Sequence, residues 1–149
     1  MSPARDDEYL RRLASEAHQA VLATTRPDGT VHASLVSGGV TVDPVRSSLA
    51  VAAVVMGRAR KLAYLRASGR AAATFVHGFE WVTAEGPVSI IGPDDPHQAV
   101  PAAALPQLLR DVFTAAGGTH EDWNEYDRVM ADERRAAVFI HVERTYRNR

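Results

Sequence analysis

The sequence predicts a mainly β domain with flanking helices, its strands forming an antiparallel barrel. Three observations carry that expectation. Short runs rich in β-branched residues recur between turn signals, at 20–25, 30–36, 39–42, 48–55, 71–76, 81–90 and 136–142. Helical periodicity is confined to the start, to one short basic segment and to the stretch between 105 and 135. At 149 residues the chain has the size of one domain, expected to span 1–149, and can bury most of its apolar surface around a single core.

From Asp6 to Gln19 the residues Leu10, Leu13, Ala14 and Ala17 recur at helical spacing among Arg and Glu, which predicts an amphipathic helix capping one end of the barrel. The run 20–25, the turn signal Arg26-Pro27-Asp28-Gly29 and the run 30–36 predict a hairpin. A third strand is expected at 39–42, ending at Asp43-Pro44. The fourth, 48–55, is apolar nearly throughout, as a strand buried on both faces should be. Residues 57–68 set Arg58, Arg60, Lys61 and Arg66 among Leu62, Leu65, Ala63 and Tyr64, a basic helix with a cationic beginning. Strands return at 71–76 and 81–90, joined through His77-Gly78-Phe79, and a Pro- and Asp-bearing loop follows. Helices are expected from 105 to 115 and, after Gly117-Gly118, within 121–135. The last strand is 136–142, and the basic 144–149 tail reads as a ragged terminus.

Composition excludes more than it names. The chain is 46% hydrophobic and 23% charged with a formal net charge of -1, so bulk charge gives no reason to expect nucleic acid. It has no cysteine, which removes disulfides and thiolate chemistry. Met1 to Glu8 carries both charge signs with no apolar run behind, and no stretch approaches a membrane span; a cytoplasmic protein with no membrane partner is expected. The histidines His32, His77, His97, His120 and His141 show no metal-ligand spacing, so no metal is expected. No nucleophile elbow or Walker loop is present.

Three blocks carry a family resemblance. Val21-Leu-Ala-Thr-Thr-Arg-Pro-Asp-Gly29 with Val31-His-Ala-Ser34 resembles the opening hairpin of the F420-dependent branch of the pyridoxamine 5'-phosphate oxidase-like split barrels. Arg58-Ala-Arg-Lys-Leu-Ala-Tyr-Leu-Arg66, with Arg70 behind it, is similar to the basic helix that this branch uses on cofactor phosphate. Thr119 to Tyr126, leading to Met130 and Glu133-Arg-Arg135, resembles the C-terminal helical segment of an actinobacterial subgroup, in keeping with the Ala-rich composition. The chain departs from the branch at Tyr64, where Asn is usual, at Ser68-Gly69, where Asp-Pro is usual, and at Leu35, often polar or Pro.

The resemblance implies a split β-barrel, a Greek-key-type FMN-binding architecture, assembled as a homodimer with the cofactor at the subunit interface. The implied cofactor is coenzyme F420, with FMN as the alternative. Lys61, Arg58 and Arg60 would hold the phosphate, where helix N-terminal amides also favour an anion; a solvated helix face is the competing reading. Ser34, Val36, Ser37 and Gly38 would lie near the ring, with Gly38 and Gly39 permitting close approach. Phe79 and Trp81 would stack on the cofactor or line a slot given by the second subunit, ordinary packing being the competing reading. The implied activity is F420H2-dependent hydride transfer to an electron-poor small organic acceptor, with no side chain obligatory as acid or base. The rivals are an FMN-dependent oxidoreductase of the same fold and a non-catalytic F420-, FMN- or haem-binding protein.

Overall fold

The computed structural model describes residues 6–148. The first residues of the N-terminal reading and the last residue of the basic tail, Arg149, lie outside the described residues. The elements run α1 (Asp7–Ala17), β1 (Gln19–Thr25), β2 (Val31–Asp43), β3 (Ser48–Val55), α2 (Arg60–Ser68), β4 (Arg70–His77), β5 (Glu80–Ile91), α3 (Leu105–Ala115), α4 (Trp123–Asp132), β6 (Ala136–His141) and β7 (Arg144–Arg147). Strands β1, β2, β3, β6, β5 and β4 pair antiparallel in that order, and β4 pairs back to β1, which closes a six-stranded barrel. This is the split-barrel class the sequence predicts.

The first correction concerns β2. The runs 30–36 and 39–42, expected as two strands, are one strand that changes partner midway. Val31 to Ser37 pair with β1, and Gly38 to Asp43 pair with β3. Ser37-Gly38-Gly39 is therefore a corner inside a strand and not a turn. Gly39 is needed there because a Cβ would be driven into the Ala115 carbonyl at the end of α3. Gly38 is under no such pressure: its Cβ would meet nothing closer than 3.5 Å.

The alternation of β3 explains why it reads as apolar throughout. Leu49, Val51, Ala53 and Val55 point into the barrel with Leu22, Ala73, Phe75, Val82, Val138 and Ile140. Ala50 and Ala52 point outward with Ala137 and Phe139 of β6, under Leu109 and Val112 of α3 and Tyr126 of α4. Both faces are thus covered. Helix α1 drives Leu10, Leu13 and Ala14 into the barrel interior, and α2 adds Leu62 and Leu65 to the same cluster. The two helices sit at opposite ends of β1: His18, just after α1, receives the Gly38 amide on its carbonyl, while Ser68 of α2 bonds Thr24.

The second correction is the C-terminus. Instead of fraying, Arg144–Arg147 pairs with Val82–Glu85 of β5 as β7. Asn148 extends the attachment, accepting from the Trp81 amide at 3.0 Å and donating to the Phe79 carbonyl at 2.8 Å. The guanidinium of Arg147 lies 3.8 Å from the Tyr9 ring centroid, which ties β7 to α1. Local sequence offers no sign of this, because the strand is polar and gets its order from long-range partners.

The Gly39 contact makes a direct prediction. Gly39→Ala should destabilise the fold by about 2 kcal/mol or more, lowering the thermal midpoint by roughly 5–10 °C. Gly38→Ala in the same strand should shift it by no more than ~2 °C. Equal midpoints for the two variants would show that α3 does not rest on β2 in this way.

Candidate functional site

Where β2 leaves β3, the barrel opens. Val31 to Ser37 have β1 on one side and no strand on the other, while Val54 and Val55 at the end of β3 pair only with β6. The gap is a cleft of about 440 Å³. Its walls are Leu35, Val36 and Ser37 of β2, Val54 to Met56 at the end of β3, and Phe113, Tyr126 and Met130 of the outer helices. Lys61 and Arg135 are its two cations.

Lys61 sits in the first turn of α2. The helix starts at Arg60, later than the expected 57, because Gly57-Arg58-Ala59 turn tightly with the Ala59 amide on the Met56 carbonyl. The first turn contains no acidic residue. The Lys61 side chain is half-buried and has no hydrogen-bond or ion-pair partner among the described residues. Burial pulls its ammonium below the ordinary lysine range.

The other expected cations are placed differently. Arg58 lines an adjoining cleft of about 300 Å³ with Asp94, Asp132, Glu133 and Arg134, the two clefts sharing Met56. Arg60 is exposed. Arg66 forms a two-point bond with Asp95, at 2.9 and 2.6 Å, and Arg70 pairs with Glu143 at 2.6 Å. Both are committed to carboxylates, and only Lys61 of the basic block faces the main cleft.

The expected ring contacts divide in the same way. Val36 and Ser37 line the cleft; Ser34 lies on the same face of β2 as Val36, two residues back. The Oγ of Ser34 is buried without a hydrogen-bond partner among the described residues, as is Nδ1 of His32, whose ring packs 5.4 Å from that of Tyr64. Such atoms are rare in native interiors and ask for a partner. Gly38 is buried at the corner of β2 and faces the barrel interior, near Phe75 and Ala20. Phe79 is in the β4–β5 turn, 97% exposed, and Trp81 packs edge-on against Tyr146; neither lines the cleft. Within one chain the structure does not bring them to Lys61.

Sequence reasoning missed Arg135, Met56 and Phe113. Phe113 packs edge-on against Trp123 and at a tilt against Tyr126, and Arg110 lies 5.3 Å from the Trp123 ring while bonding Asp127 at two points. The Tyr126 hydroxyl donates to the Leu109 carbonyl, and burial pushes its pKa up to about 12, so it stays protonated. Among the described residues no three metal-ligating side chains converge, and no helix is long and apolar enough to cross a membrane.

No protein-family model matches the chain, and no curated protein matches it. Solved structures do. A pyridoxamine 5'-phosphate oxidase-related FMN-binding protein from Nostoc punctiforme is 14% identical, with a TM-score of 0.63 over 99% of this chain and 84% of that one. An F420 reductase is also 14% identical, with a TM-score of 0.63 over 91% of this chain and 94% of that one. The haem storage protein HutZ from Vibrio cholerae is 11% identical, with a TM-score of 0.59 over 95% and 94%. At such identities the likeness is one of fold, and one fold holds three ligand classes.

The Lys61 environment has a pH signature. Its folded-state pKa lies below the ordinary 10.5, so folding penalises the charged form at neutral pH. That penalty is fully present below the folded value and disappears as pH rises past the unfolded one. Lys61→Met should therefore raise the thermal midpoint of the ligand-free protein near pH 8, and the difference should close by about pH 11. A midpoint lower than wild type at every pH would mean that Lys61 is held by a favourable contact instead.

Proposed function

We propose that the chain binds a phosphate-bearing flavin-type cofactor in the cleft where β2 leaves β3, with coenzyme F420 as the first reading. Its activity would be F420H2-dependent reduction of an electron-poor small organic acceptor. The observation that carries the binding claim is Lys61: a half-buried ammonium without a partner, beside largely apolar walls. An anionic group placed there restores what burial takes from the ammonium. Val36 and Met56 supply apolar surface for a flat ring, while the unpartnered Ser34 Oγ lies buried two residues behind Val36 on the same strand face, outside the cleft lining. Arg58 and Arg60 are both exposed, Arg58 in the adjoining cleft.

Bound reduced deazaflavin supplies the hydride; the chain's own residues bind, orient and exclude water. No acid or base is assigned to a side chain. The acceptor would meet the cofactor at a dimer interface. The outer face of the β1–β2–β4 sheet supports that arrangement, because Val31, Leu35, Val21 and Val76 stand exposed on it, with Leu35 at 59% also lining the cleft. A second copy covering this face would border the site and bring the exposed Phe79 of a partner within range of use.

FMN is the second reading, favoured by the adjoining cleft. Asp94, Asp132 and Glu133 there outnumber Arg58 and Arg134, which suits a short phosphate better than a long polyanionic tail. A haem-binding or purely cofactor-carrying role is the third, in line with the ligand diversity of the fold.

Titration of the purified protein with F420, FMN and haem separates these readings. Trp123, packed on the cleft residues Phe113 and Tyr126, provides an intrinsic fluorescence signal. The expected result is tight F420 binding by a protein that sediments as a dimer, weakened ~10-fold or more by Lys61→Met. Preference for FMN moves the protein to the second reading; haem binding alone, or binding unaffected by Lys61→Met, removes the Lys61 assignment.

A further inference from the structure

Arg135 is bonded differently from Arg66, Arg110 and Arg134. Arg66, Arg110 and Arg134 each engage a carboxylate through both Nε and an Nη atom. Arg135 donates only through Nε, to Glu133 Oε1 at 2.8 Å, and its two Nη groups have no hydrogen-bond partner among the described residues. It is half-buried and lines the same cleft as Lys61. A guanidinium anchored at its inner nitrogen and open at its outer pair is oriented for two-point capture of an oxyanion.

The backbone fixes that position. Helix α4 ends with Arg134 in the left-handed region, φ 50°, and the Arg135 amide reaches back to the Met130 carbonyl at 3.0 Å while the Arg134 amide bonds Ala131 at 3.1 Å. The turn is then docked on the β3–α2 loop, with the Gly57 amide donating to the Glu133 carbonyl at 3.1 Å. Gly57 permits this contact: a Cβ would strike the Arg134 carbonyl and come within 2.9 Å of the Arg134 Cβ. Two cations distant in sequence are thereby brought to one cleft by backbone contact.

We infer that Arg135 is the second cation of the cofactor's phosphate site, completing with Lys61 a two-sided clamp, and that Glu133 positions it. The inference rests on the cofactor reading above and adds to it a residue and a preference. The phosphate monoester of FMN carries about -1.5 to -2 charges at neutral pH, more than one ammonium balances; the phosphodiester of F420 carries about one, and there the guanidinium adds two-point hydrogen bonding to its free oxygens. Glu133 offsets part of the Arg135 charge in the free protein and holds the guanidinium plane for the incoming oxygens. The cleft should therefore discriminate strongly between phosphate-bearing and phosphate-free forms of the same ring.

The test is calorimetric titration of the full chain with two matched pairs: FMN and riboflavin, and F420 and its phosphate-free deazaflavin precursor. The readout is the affinity ratio within a pair. Arg135→Gln should cut that ratio ~10-fold or more while leaving the phosphate-free affinity within about twofold. Arg135→Lys should retain part of the preference, and Glu133→Gln should lose part of it with the ligand contacts intact. Should Arg135→Gln not fold, as judged by its thermal midpoint, Arg135→Lys carries the test through a several-fold fall in the same ratio. An unchanged ratio in the Arg135 variants, with the ratio lost in Lys61→Met, overturns the Arg135 assignment and keeps the cofactor reading. Equal weakening of both members by Arg135→Gln also overturns it, since that is a structural effect. A wild-type protein that binds no member of either pair, or shows no preference for phosphate, overturns both.

Discussion

The structure depends on a change of partner within one strand. By pairing with β1 through Ser37 and with β3 from Gly38 onward, β2 belongs to both halves of the barrel and separates them. The separation leaves one edge of Val31 to Ser37 without a strand, and an open edge beside a hydrophobic core must be covered or used. Here α2 and the α3–α4 pair approach from either side without filling the gap, and the cleft is what remains. Its polar and apolar character follows from that origin: strand side chains and helix aromatics give the walls, and the chain ends that enter and leave the gap give Lys61 and Arg135.

Two glycines allow the helices to come close enough. Gly39 admits the end of α3 against β2, and Gly57 admits the end of α4 against the β3–α2 loop. At neither position is the glycine φ in the left-handed region, so the requirement is space and not backbone freedom. Elsewhere the surface is stitched by ion pairs, such as Arg66 with Asp95 and Arg134 with Asp94, each of small individual weight because both partners are partly solvated. Their larger consequence is to occupy cations. Within the main cleft, Lys61 and the outer nitrogens of Arg135 keep no such partner among the described residues.

Much of the fold was legible because its signals are local. The alternation in 20–25, the Pro-Asp-Gly turn and the two-faced apolar run of β3 each state their structure without reference to the rest of the chain. The turn acts as expected, with Asp28 accepting from the Thr30 amide at 3.0 Å and Gly29 at φ 88°. The single strand β2 was not legible, since Gly-Gly signals a break until α3 is known to press on it. Nor was β7, whose order comes from β5 and from Tyr9. For the site, Lys61 could be read from its place in a basic helix start and a family resemblance, but charge alone could not separate it from Arg66 and Arg70, which are consumed by Asp95 and Glu143. Arg135 gave no sequence signal beyond a Glu-Arg-Arg run, because its meaning lies in the Gly57 contact.

The measurement that tests this account most directly is a crystal structure of the protein with bound F420 or, should that be the tighter ligand, FMN. The account predicts the phosphate in the cleft between β2 and β3, within about 3 Å of Lys61 Nζ, a charge-assisted hydrogen-bond distance. A cofactor bound elsewhere on the barrel, or seated in this cleft with its phosphate turned away from Lys61, would contradict it.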